Sequence, residues 1–153
     1  MIAARCRHVL PGLWAGMLLC VALLAAPAAF ATLPNADAGR VVARIFAVEA
    51  WLSLGIAALL LLLGRIAIPG LAQGSRSRVS LDQRLVVCTV ACTVAGYFGV
   101  QALLPAARAG QAWMSFGQLH LLAVLIFGLK TLLALVLAWR CAAASQPINR
   151  PSS

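Results

Sequence analysis

Apolar and polar positions alternate along this chain on the scale of whole segments, not of single residues. Val9 to Ala31 carries no charge, and neither does Leu85 to Ala107. Ile45 to Gly64 carries one charged residue, Glu49, and Trp113 to Trp139 carries one, Lys130. Each run reaches the roughly 20 apolar residues that a helix needs to cross a hydrocarbon core about 30 Å thick. In lipid every backbone N–H and C=O must be satisfied within the segment, so each run is predicted to be a helix. The expected fold class is all-α, an integral membrane four-helix bundle. A single domain is expected over 1–144, with spans at about 9–31, 45–64, 85–107 and 116–139, followed by a disordered polar tail at 145–153.

Composition agrees. The hydrophobic fraction is 63% and the charged fraction 10%, against about 45–50% and 25% for soluble domains. The net charge of +9 does not point to nucleic acid, because the arginines flank apolar runs and do not line one polar face. They read as orientation signals and as contacts to anionic headgroups of the bilayer. Eight arginines fall in the N-terminus, the middle loop and the C-terminus, and three in the other two loops. The positive-inside rule then puts both termini in the cytoplasm of a cell whose inner membrane holds the protein. Trp14, Trp113 and Trp139 fall near the expected interfaces, and Trp51 deeper. Arg5-Cys6-Arg7-His8, an apolar run and Ala29-Phe30-Ala31 imitate a cleavable signal peptide. The run is 23 residues long, against the usual 7–15 or so of a signal core, so retention as a span is expected.

Local signals punctuate the spans. Pro11 is placed in the first turn of span one, where its missing N–H costs little. Pro27 should kink or end that helix. Leu33-Pro34-Asn35 is a turn, and Asn35 is a possible cap for an amphipathic extension of span two through Arg44. The middle loop, with Pro69-Gly70 and Gln73-Gly74-Ser75, reads as a flexible connection without phosphate-binding glycine patterns. Pro105, Gly110 and Gln111 mark a short turn before span four.

Small residues recur at spacing four: Gly12, Gly16 and Cys20 in span one; Cys88, Cys92, Gly96 and Ala91, Ala95, Gly99 in span three. Lipid supplies no hydrophobic drive between helices, so such rows favour close packing against a neighbour, another membrane protein or a second copy. Cys88 and Cys92 share a helical face. They read either as a soft-metal site, with copper(I) the natural ion, or as small packing residues, and the row's continuation into Gly96 favours packing. No resident metal or cofactor is expected. Cys6 and Cys141 lie at the cytoplasmic boundary, where disulfides are not expected.

Glu49, His120 and Lys130 are the ionisable groups inside spans. Such groups usually face the bundle interior and find partners. Spans two and four run in the same direction, and Glu49 and His120 both fall about 6 Å below the outer boundary at 1.5 Å per residue, so a Glu49–His120 pair is possible. Lys130 lies roughly 15 Å deeper than His120, with a side chain that leans outward and can snorkel toward Glu49. One reading is a polar site for a proton, an ion or a small ligand; the other is a fixed structural pair. No Ser/His/Asp arrangement or H-E-x-x-H is present, so an enzyme is not expected. The alternative to a transport or ligand-handling bundle is a non-catalytic accessory protein that binds others through its small-residue faces.

The residues Trp14-Ala-Gly16, Ala26-Pro27-Ala-Ala-Phe30, Thr32-Leu33-Pro34, Ala38-Gly39-Arg40 and Phe46, with Phe116-Gly117-Gln-Leu119-His120 opening the last span, resemble the bacterial family called domain of unknown function 4149, relatives of eukaryotic transmembrane protein 205. The resemblance covers all four spans. It implies a four-helix membrane protein of uncharacterised activity, and the relatives' part in resistance to platinum drugs suggests metal handling or export. In such proteins the last-span histidine is followed by Gly, small hydroxyl residues and Asn. Here the stretch is Leu121, Leu122, Ala123, Val124 and, further on, Phe127, and Lys130 is atypical.

Overall fold

The computed structural model describes residues 2–66 and 81–144. The middle loop and the polar tail, expected to be flexible, lie outside the described residues. Four helices are long and apolar enough to cross a membrane: span one Arg5–Thr32, span two Asn35–Gly64, span three Leu81–Arg108 and span four Phe116–Ala143. Among the described residues every regular element is helical. Two short connections, 33–34 and 109–115, join spans one to two and three to four. They define one end of the bundle, the hairpin end. Ile2 and Ala144, the outermost described residues, lie at the other, the terminal end.

Backbone neighbours run one–two, two–three, three–four and four–one, with no close backbone approach across either diagonal. The result is an antiparallel, up-down-up-down square. Its packed core sits in the terminal half, where Trp14, Ala15, Leu18, Ala57, Val86, Ala134 and Leu137 bury against one another.

The termini of the spans follow from their residues. Span three closes on Gly110 at φ +70°, a conformation that side chains with a Cβ seldom adopt. Gly110 N–H then reaches Ala107 O at 3.2 Å and Gln111 N–H reaches Ala106 O at 2.9 Å, the paired bonds of a Schellman cap. Span four opens on a capping box in which the Ser115 hydroxyl accepts from the Gln118 N–H and the Gln118 side chain accepts from the Ser115 N–H. That arrangement satisfies first-turn donors at the bundle surface. Span two begins at Asn35 itself, with the Pro34 carbonyl accepting from the Asp37 and Ala38 N–H groups. Asn35 is thus the first helical residue and not the cap. The expected amphipathic extension is continuous with the span, and Arg40 pairs with Asp37 at 2.5 Å.

Two other expectations are corrected and a third is narrowed. Helix begins at Ile2, so Pro11 lies well inside the first helix and is buried. Trp14 is fully buried and not at a lipid interface, whereas Trp113 and Trp139 are 84% and 79% exposed. Pro27, expected to kink or end span one, does not end it. A π-helical stretch at Val21–Ala25 precedes it, and helix resumes to Thr32. A second π-helical stretch, Val94–Gln101, precedes Pro105 in span three. In each case the carbonyl four residues before the proline, that of Leu23 or Gln101, falls within the widened stretch. Widening to i→i+5 bonding relieves the clash between a proline ring and the carbonyl four residues back, at the loss of a regular turn.

Candidate functional site

The two widened helices diverge from their neighbours in the hairpin half. Beyond Val21–Ala25 the chain of span one keeps close backbone contact with span two but not with span four. Beyond Val94–Gln101 span three keeps contact with span four but not with span two. The bundle therefore splits into two helical hairpins, and a cleft of about 1280 Å³ opens between them, lined by residues of all four spans.

Its floor is a buried polar network. Lys130 Nζ donates to Glu49 Oε1 at 2.6 Å, across the diagonal between spans four and two. Ser53 Oγ donates to the same carboxylate oxygen at 2.5 Å, and Trp14 Nε1–H donates to Ser53 Oγ at 2.8 Å. Glu49 is 3% exposed, Lys130 2%, and Ser53 and Trp14 are wholly buried. Glu49 and Ser53 are four residues apart on one helical face, so one turn of span two presents both groups to the centre. Removal of charges from water is costly and is offset only where geometry and further hydrogen bonds are good. Here the carboxylate receives both an ammonium and a hydroxyl. No buried side-chain N or O among the described residues lacks a partner. Above the pair, Phe46 and Phe127 meet edge to face at 5.1 Å between centroids, also across the diagonal.

The mouth is different in character. Arg108 places its guanidinium 4.8 Å from the Phe116 ring centroid, and Phe116 stacks on His120 at 5.9 Å. The Arg108 nitrogens also lie 3.2–3.3 Å from where a Cβ on Gly39 would stand. Gly39 thus lets a span-three cation reach across to span two.

The structure brings Glu49 and Lys130 together, whereas His120 is exposed and partners Phe116, so a Glu49–His120 pair does not form. All three nevertheless border one cleft. Sequence reasoning did not single out Trp14, Ser53 and Arg108. Ser53 had a readable signal in its spacing of four from Glu49. Arg108 had none, because its reach to Gly39 depends on how two hairpins meet.

The small-residue rows divide. Gly96 packs inward, and a Cβ there would stand 3.1 Å from Ile126. Gly12, Gly16 and Gly99 have open space where a Cβ would be, and Ala95 is exposed. Within one chain these four do not mediate close packing. The inward face of span three is carried instead by Val86, Thr89, Thr93 and Val100. The threonines satisfy their hydroxyls on the carbonyls four residues back, Thr89 on Leu85 at 2.8 Å and Thr93 on Thr89 at 2.9 Å. Cys88 is exposed, Cys92 is half-buried at the cleft, and both are free thiols. Among the described residues no group of three or more His, Cys, Asp or Glu side chains gathers.

A family model described as Domain of unknown function (DUF4149) matches residues 9–112. The chain belongs to that family. The matched segment holds spans one to three, including Trp14, Glu49, Ser53 and Arg108, and stops short of span four with His120 and Lys130. It is thus narrower than the four-span resemblance read from the sequence. No curated protein and no solved structure gives a significant match.

Proposed function

We propose that this multi-pass membrane protein is a non-enzymatic ligand-handling or small transport bundle, with its binding site in the cleft of the hairpin half. The observation that carries this reading is the cleft itself, about 1280 Å³ and lined by all four spans, which ends on a buried and fully satisfied Glu49–Lys130 pair. Ligand sites are typically concave and mostly apolar, with a few convergent polar groups. The cleft has that character: apolar walls, an ion pair at the floor and a cation at the mouth. The arginine bias supports a hairpin end outside the inner membrane; on that reading the cleft faces outward and the packed terminal half lies on the cytoplasmic side.

Cys92 borders the cleft and serves as its reporter. With the other four cysteines replaced by serine, the purified protein in mild detergent is treated with a small anionic methanethiosulfonate. Modification of Cys92, slowed at least fivefold when Ala123→Trp fills the cleft, is the expected result. An unreactive Cys92, or one indifferent to Ala123→Trp, overturns the reading.

A second reading rests on a separate observation. Gly12, Gly16 and Cys20 form a row on the exterior of span one with open space beside both glycines. Such a row suits close approach of another membrane helix, as an accessory protein needs. Loss of a copurifying membrane partner on Gly16→Leu, with the monomer's stability unchanged, would favour it.

A further inference from the structure

We infer that the cleft takes a single-chain lipid anion, its acidic head at Arg108 and its chain leaving toward the bilayer between spans one and four. This rests on the ligand-handling reading above and adds the chemical class of the ligand.

The first argument is a count of charges. The chain has three acidic residues in all, Asp37, Glu49 and Asp82. Each is already held in an ion pair, by Arg40, Lys130 and Arg140 respectively. Of the fixed charges bordering the cleft, Glu49 and Lys130 cancel, and Arg108 is exposed, with its guanidinium over the Phe116 ring and against Gly39 and in no ion pair among the described residues. An anion from outside the chain would find Arg108 without an acidic partner among the described residues. An anion at the mouth would meet the guanidinium fork, which Phe116 holds in place. Arginine suits carboxylate and phosphate heads because its donors match their geometry.

The second argument is the shape of the cleft. Beyond the π-helical stretches spans one and four make no close backbone contact, and the residues bordering that seam are apolar and well exposed. Phe30 is 47% exposed on span one, and Val124 and Leu132 are 53% and 57% exposed on span four. The seam thus opens sideways, where a bilayer supplies hydrocarbon chains. From His120 to the floor at Lys130 is ten residues, roughly 15 Å of helix at 1.5 Å per residue, long enough for a chain to lie against. A soluble anion would satisfy Arg108 but leave this apolar seam without an occupant. A neutral lipid would fill the seam and leave Arg108 without an anion.

The test uses native mass spectrometry of the full chain in mild detergent, titrated with oleate, oleyl alcohol and hexanoate. The expected result is one oleate per chain, bound at least tenfold more tightly than the alcohol, which lacks the charge, or hexanoate, which lacks the long chain. Arg108→Gln should bring oleate down to the level of the alcohol, and Arg108→Lys should retain most of the preference. Where Arg108→Gln fails to fold, Ala123→Trp serves in its place and should lose oleate altogether. Equal binding of oleate and alcohol, or no effect of either replacement, overturns the inference. Equal binding of hexanoate overturns it in favour of a soluble anion. A reactive Cys92 without oleate binding sinks the ligand class alone, whereas an unreactive Cys92 sinks the cleft reading beneath it.

Discussion

Replacement of Lys130 by Met leaves Glu49 in place without its cation, at a site where both residues are no more than 3% exposed. Ser53 would still donate to the carboxylate, so one hydrogen bond survives, but the charge is left in the bundle without a counterion. Loss of one partner of a buried pair costs about 3–5 kcal/mol. Glu49→Gln should cost a similar amount for the opposite reason: a neutral amide can accept from the ammonium but cannot balance its charge. The double replacement Glu49→Gln with Lys130→Met removes both charges and retains much of the volume. Since neutralising a whole buried pair is often neutral or stabilising, the double variant should lose less than either single, a coupling of several kcal/mol. Unfolding by SDS in mixed micelles, followed by near-ultraviolet circular dichroism, reads all four corners of this cycle. Single variants within about 1 kcal/mol of the parent would mean that water or a deprotonated lysine already relieves the pair. Additive losses in the double variant would refute the ion pair as the unit of stability.

Other expectations are briefer. Trp14→Phe removes the N–H donated to Ser53 while retaining most of the ring, and should cost about 1 kcal/mol, measured in the same micelles. Gly96→Leu drives a side chain into Ile126 and should cost about 1–3 kcal/mol, whereas Gly16→Leu enters open space and should leave the monomer's unfolding curve unmoved. Pro105→Ala restores an N–H for the Gln101 carbonyl and removes the ring clash, so the π-helical stretch should tighten and the modification rate of Cys92 should fall. An unchanged rate would separate the cleft from the proline.

Much of the fold was legible in the order of the residues. Four uncharged or nearly uncharged runs of this length have one solution in lipid, because helices satisfy their own backbone groups. Short connections then force antiparallel neighbours. The Glu49–Lys130 contact was partly legible too: the sequence let Lys130 snorkel toward Glu49 but put it roughly 15 Å deeper, because span two starts at Asn35 and not at Ile45. Trp14 was misplaced because a tryptophan near the end of an apolar run fits an interface and a core equally well, and only Ser53 across the bundle decides between them. The same holds for the glycine rows: spacing of four marks a face, but not whether a neighbour stands opposite it.

What the sequence determined by itself, then, is the set of local necessities: helices from apolar length, a Schellman turn from Gly110, a capping box from Ser115 and Gln118, and strain wherever Pro27 and Pro105 stand in helices. What only tertiary structure decided is how that strain is used. Both prolines lie on spans one and three, and both are preceded by a π-helical stretch, so two helices that alternate around the square leave it in the same half. The cleft, Arg108 at its mouth and the ion pair at its floor follow from distances between spans, and no single helix carries that information.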